Sequence, residues 1–81
     1  MEAHKLVKMA NEIAAFFHAE PDQAVAIEGV ASHLKRFWDP RMRRELVRWM
    51  DEHDGEGLTE LAAAAIKTNR DRLLPAKNGS S

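Results

Sequence analysis

The chain has 81 residues, 44% hydrophobic and 31% charged, with 12 Lys plus Arg against 13 Asp plus Glu and a net charge of −1. A chain this short buries roughly 60–65% of its unfolded surface, which predicts one domain without a deep private active site, and its charge creates no overall attraction to nucleic acid or anionic lipid. Without cysteine it has no disulfide, thiolate-held zinc, iron–sulfur ligand or thiol nucleophile, and no apolar run suits a signal peptide or membrane span, which together predict a cytoplasmic, unprocessed protein.

Leu6, Met9, Ala10, Ile13 and Phe17 recur at helical offsets while Lys5, Lys8, Asn11 and Glu12 lie off that stripe, predicting an amphipathic first helix over about residues 4–18. Pro21 suits a first helical turn and Asp22 the positive end of a helix dipole. With Ala24, Ile27, Val30, Ala31, Leu34 and Phe37 or Trp38 as its stripe, the second helix is predicted over about 21–37. Asp39-Pro40 reads as the N-cap and first position of a third helix, with Met42, Leu46, Trp49 and Met50 inward. Gly55 and Gly57 end it. Thr59 is placed to cap a fourth helix through Leu61, Ala62, Ala65, Ile66 and on toward Leu73, in which the run of alanines favours helix but fills a core poorly. Pro75 stops it. The predicted fold is all-α: a small irregular bundle of about four short helices in one domain over residues 1–75, with a mobile tail over 76–81 that has no apolar anchor.

Charge is segregated along the chain. Residues 35–48 hold Lys35, Arg36, Arg41, Arg43, Arg44 and Arg48 against Asp39 and Glu45, a net of +4, and the acids Asp51, Glu52, Asp54, Glu56 and Glu60 follow at once. Arg41, Arg44 and Arg48 share one face of the third helix, and arginine pairs bidentately with carboxylates at interfaces. That makes a candidate docking face; the plain alternative is a solvated face with intrahelical pairs such as Arg41–Glu45 and Arg48–Glu52, worth a few tenths of a kcal/mol each. Acids at the end of the third helix oppose its dipole and require a compensating partner or a binding role.

The aromatics are Phe16, Phe17, Phe37, Trp38 and Trp49. Neighbours on a helix point about 100° apart, so Phe16-Phe17 and Phe37-Trp38 cannot each turn both rings to one core. The stripes assign Phe17 and one of Phe37 or Trp38 to the core, leaving Phe16 and the other for an exposed patch, or else short helices enclose all the rings. His4, His18, His33 and His53 offer no i, i+4 metal pair, and His33 is placed to cap or hydrogen-bond the Phe37–Pro40 corner. The Asp51–Gly57 stretch resembles a calcium loop superficially, but the ligand positions are wrong. Neither a phosphate-binding glycine pattern nor a nucleophile–base arrangement is present, and Ser32 and His33 splay apart on a helix.

The stretch Ala31-Ser32-His33-Leu34-Lys35-Arg36-Phe37-Trp38-Asp39-Pro40-Arg41-Met42-Arg43 closely resembles the delta subunit of soluble, NAD-dependent, molybdenum-containing formate dehydrogenases. The resemblance extends to Lys5–Phe17 and, more weakly, to Gly57–Leu61, covering most of residues 5–66; the alanine-rich fourth helix and the acidic loop depart from the family picture. It implies a non-catalytic accessory subunit without a cofactor of its own. Its partner is then the molybdopterin-bearing catalytic subunit and, through it, the subunits that hold flavin and iron–sulfur clusters and pass electrons to NAD, with a role in assembly, cofactor maturation or activity. The partner-binding residues put forward are Phe16, His33, Phe37, Trp38, Arg41, Arg43, Arg44 and Arg48. The competing reading is a helical nucleic-acid-binding module with its arginines on phosphates, against which stand the net acidic charge and the lack of base-reading polar residues.

Overall fold

Side-chain caps set most of the helix starts. In the computed structural model, which describes residues 2–74, α1 spans Ala3–Phe17, α2 Gln23–Phe37, α3 Pro40–His53, α4 Glu60–Thr68 and α5 Arg70–Leu73, with no strand among the described residues. The all-α bundle expected from the periodicity is the fold observed. Asp22 caps α2 by accepting from the amides of Ala24 and Val25, and Asp39 and Thr59 cap α3 and α4 through the amides of Met42 and Ala62. Each satisfies a donor that a helix start leaves free.

Two boundaries differ from the sequence reading. Pro21 lies outside α2, because Asp22 takes two free amides at the cap position, more than proline at the first turn offers. The fourth helix breaks at Asn69, whose backbone leaves helical geometry at φ −113°, ψ 25° and whose side-chain amide donates to the Ala65 carbonyl at 3.1 Å. The break re-aims the chain so that the single turn of α5 inserts Leu73, 1% exposed, between α3 and α2. The tail expected over 76–81 lies outside the described residues.

The body measures 40 × 23 × 20 Å. A helix with its side chains is about 10 Å across, so the bundle is two helices thick and every long helix keeps a solvated side. α2 packs most extensively on α4 and α1. Alanines make that closeness possible: Ala10 and Ala14 of α1, Ala26 and Ala31 of α2, and Ala62 and Ala65 of α4 are all buried. The alanines of α4, expected to fill a core poorly, thus serve as spacers that let backbones approach, while Leu6, Val30, Leu34, Leu46, Val47, Ile66 and Leu73 fill the remaining volume. Trp38 belongs to this core.

The α3–α4 loop is held from both directions. Asp54, Gly55 and Gly57 have positive φ, and at Gly55, φ 71°, that conformation favours glycine, which also leaves room for the Met50 sulfur beside it. From α1, Asn11 donates to the Gly57 carbonyl and accepts from the Thr59 amide, each at 2.9 Å. One side-chain amide therefore satisfies a donor and an acceptor of a loop some 46 residues away.

The acids at the end of α3 have their compensating partners. Asp51 takes a bidentate contact from Arg70 of α5, and Arg48 donates to Glu52 at 3.3 Å. Arg72 likewise grips Glu28 of α2 at 2.7 and 2.9 Å. The hydrogen bonds from these arginines, reinforced by their charge and opposed by partial desolvation, hold the Asp51 and Glu28 carboxyls below their ordinary range. A depressed folded-state pKa favours the folded state above the unfolded value and loses that effect as pH falls through the folded one. The melting-temperature advantage of the wild type over an Arg70→Gln, Arg72→Gln double variant is thus greatest near neutral pH and shrinks below about pH 4. A pH-independent difference would instead place the arginines' contribution in the packing of their stems.

Burial of Trp38 leads to a second expectation. Trp38→Ala costs about 3–5 kcal/mol, a large share of what a domain of this size has, and lowers the thermal midpoint of the isolated chain steeply. A midpoint within a few degrees of wild type would remove Trp38 from the core.

Candidate functional site

The Phe37–Pro40 corner follows from one steric rule. Proline disfavours helical backbone in the residue before it, so Asp39 is extended at φ −74°, ψ 163°, α2 ends at Phe37, and Trp38 serves as its C-cap. The corner turns Trp38 inward, 6% exposed, and leaves Phe37 outside at 66%. Phe16, on α1, is 80% exposed, while Phe17 packs partly against the core. Periodicity leaves open which ring of the corner goes in, and the backbone answers it.

Of the residues put forward from sequence, Phe16, His33 and Trp38 meet at one place. With Met9, Glu12, Ile13 and Phe17 they line an open, mainly apolar groove of about 430 Å³ between α1 and the second half of α2. His33 makes no hydrogen bond to the corner; its ring lies against Phe37 at 4.7 Å, and the Arg36 guanidinium sits 5.5 Å from the Phe37 ring centre. Phe16 meets Phe17 edge to face at 5.3 Å. The groove depends on Gly29, where an added Cβ would stand 2.5 Å from the Phe17 ring. A glycine inside a helix, facing an aromatic stripe on its neighbour, is the one sequence signal that could have located this groove.

The arginines divide into two kinds. Arg41, Arg44 and Arg48 are exposed along α3, and among the described residues only Arg48 has an ion-pair partner, Glu52. Arg44 lies three residues from Arg41 and four from Arg48, and like charges at those spacings repel by a few tenths of a kcal/mol, so apart from the Arg48–Glu52 pair the row adds little to the fold. Arg43 is different: it is 7% exposed, and its guanidinium donates to the Trp38 carbonyl at 3.2 Å and the Leu73 carbonyl at 2.9 Å. Both carbonyls lie at helix C-terminal ends, where a cation is favoured. Arg43 therefore points inward from the row, joining the ends of α2 and α5 to α3.

A second aromatic cluster forms at the far end of α3. Trp49 stacks on His53 at 4.1 Å, meets the His4 ring edge at 5.2 Å, and donates its indole N–H to the Glu56 carbonyl at 2.8 Å. It fastens the acidic loop and the start of α1. A further concavity of about 440 Å³ between α1, α2 and the start of α4 is lined by His18, Glu20, Gln23, Thr59 and Glu60 among others. No group of three or more His, Asp or Glu is arranged to hold a metal among the described residues, and no helix there is long and apolar enough to cross a membrane.

Arg43 and Arg44 are neighbours with opposite expected phenotypes. Arg43→Ala leaves two helix-end carbonyls without their charged donor and costs about 2–4 kcal/mol, whereas Arg44→Ala stays within about 0.5 kcal/mol of wild type. Urea midpoints of the two variants make the comparison. Equal midpoints would show that the buried guanidinium contributes no more than a solvated one.

The family model for the NADH-dependent formate dehydrogenase delta subunit, FdsD, matches residues 5–66, a span that contains the groove, the aromatic corner and the arginine row. No curated protein and no solved structure matches the chain. On the family match, which covers well over half its length, the chain belongs to the NADH-dependent formate dehydrogenase delta subunit family.

Proposed function

We propose that this protein is a non-catalytic accessory subunit of a cytoplasmic formate dehydrogenase complex. It docks on the molybdopterin-bearing catalytic subunit and supports its assembly, cofactor maturation or activity, with flavin and iron–sulfur clusters held by other subunits and none by this one. The observation that carries this reading is the family match across the groove, the corner and the arginine row. Two properties of the surface support it. The exposed large apolar side chains include two phenylalanines beside a concave groove, and solvent-facing apolar patches of that kind mark interaction sites. The row of arginines, in which Arg41 and Arg44 have no ion-pair partner among the described residues, is complementary to an acidic surface. An accessory subunit acts by binding one state of its partner better than another, so stabilisation and maturation are two readouts of one differential affinity.

The test is co-expression of a tagged chain with the other subunits of the complex. Wild type is expected to co-purify with the catalytic subunit. Arg41→Glu with Arg44→Glu, chosen because Arg48 already has an intrahelical partner, leaves the isolated melt nearly unchanged, weakens capture about tenfold or more, and flattens its salt dependence. Full capture with an unchanged salt slope would place docking elsewhere on the chain. Salt-sensitive retention on DNA by wild type, lost in the same variant, would instead favour a nucleic-acid-binding role.

A further inference from the structure

We infer that the groove between α1 and α2 receives an acidic amphipathic helix of the catalytic subunit. This rests on the accessory-subunit reading and specifies how docking occurs. Length is the first argument. The wall from Met9 to Phe17 is about 12 Å of helix, a little over two turns, which matches the span of apolar anchors at i, i+3 or i+4, and i+7 on an incoming helix. The lining is also set in advance: Phe16 is braced by Phe17, and His33 lies against Phe37 at the groove's rim, so these rings need little ordering on binding.

Charge selects the occupant. Lys5 and Lys8 are exposed on α1 within about one turn of Met9, and Lys35, Arg36 and Arg41 are exposed within three residues of Trp38. None of the five has an ion-pair partner among the described residues. The acids near these cations are Glu12, in the groove wall, Asp39, whose carboxylate is engaged in capping α3, and Glu2 and Glu45, about one turn from Lys5 and Arg41 respectively, so that five cations face four acids of which two are already engaged by a cap or by His4. An apolar floor with a cationic border is complementary to a helix whose apolar stripe is flanked by aspartates and glutamates.

Other occupants fit less well. The segment after Leu74, Pro75-Ala76-Lys77-Asn78-Gly79-Ser80-Ser81, carries no large apolar side chain to seat and adds a lysine to an already positive border. A second copy docking by the same face would bring two cationic borders together across a two-fold axis. A nucleic-acid strand could stack on the phenylalanines, but Glu12 in the wall opposes phosphate and the chain as a whole is acidic.

The experiment places the photo-crosslinker p-benzoylphenylalanine in place of Phe16, Phe37 or Val25 within the co-expressed complex. Phe16 lines the groove and Phe37 stands against its lining residue His33, whereas Val25, 51% exposed, is an apolar control at the other end of α2. Crosslinks from Phe16 and Phe37 to one stretch of the catalytic subunit with helical apolar spacing and interleaved acids, absent at Val25, are the expected result. That stretch, made as a synthetic peptide, then binds the full chain. Phe16→Ser with Phe37→Ser weakens it roughly 100-fold or more, and Lys35→Glu with Arg36→Glu roughly tenfold, with circular dichroism unchanged in both. If the complex forms but these positions crosslink to nothing, to another copy of this chain, to a stretch without acids or to nucleic acid, the groove inference is overturned while the accessory-subunit reading stands. If wild type forms no complex at all, both fall.

Discussion

A single guanidinium without a carboxylate partner among the described residues joins the ends of this small fold. Arg43 donates to carbonyls of Trp38 and Leu73, one five residues back and one thirty residues on, so the end of α2, the start of α3 and the whole of α5 meet at one side chain. A four-residue helix has no stability alone, since the first turn costs more than it returns. Leu73 stays in place because its side chain is buried and its carbonyl is held, and with α5 in place Arg70 and Arg72 can reach Asp51 and Glu28. Lysine at position 43 would bring the charge but not the planar fork that spans two carbonyls.

Interior and exterior aromatics follow from the same economy of volume. Helices that meet through Ala10, Ala14, Ala26, Ala62 and Ala65 lie too close to enclose many large rings. Trp38 is buried just past the end of α2, and Trp49 is fastened near the far end of α3 by two imidazoles and the Glu56 carbonyl. Phe16 and Phe37 are left in solvent, and Phe17 reaches part of the core only because Gly29 yields the space of a side chain. Close packing within the chain and a sticky exterior groove are thus two results of one design.

Features encoded locally were legible in the sequence. The apolar stripes, the Asp39-Pro40 start of α3, the Thr59 cap and the left-handed Gly55 and Gly57 each follow from a few neighbouring residues. What escaped depends on partners distant in sequence or on small differences in local preference. Arg43 looked like one more surface cation because nothing nearby announces the Leu73 carbonyl. Asn11 looked like a polar face residue because its loop partners lie beyond residue 56. Asn69 is only a slightly weaker helix former than its neighbours, so periodicity carried the fourth helix past it until tertiary packing of Leu73 decided the break. The groove was half legible: the aromatics were visible as residues, but their assembly with Met9, Ile13 and Glu12 depended on how α1 crosses α2.

The two tryptophans have an optical consequence. With no tyrosine in the chain, near-ultraviolet absorption and emission come almost entirely from Trp38 and Trp49. One lies in an apolar corner beside the groove, and the other is stacked on an imidazole beside the acidic loop, at opposite ends of α3. Their spectra are therefore separable labels for two regions of the molecule. Replacing either by phenylalanine leaves a chain whose intrinsic light reports on one region alone, without any attached dye.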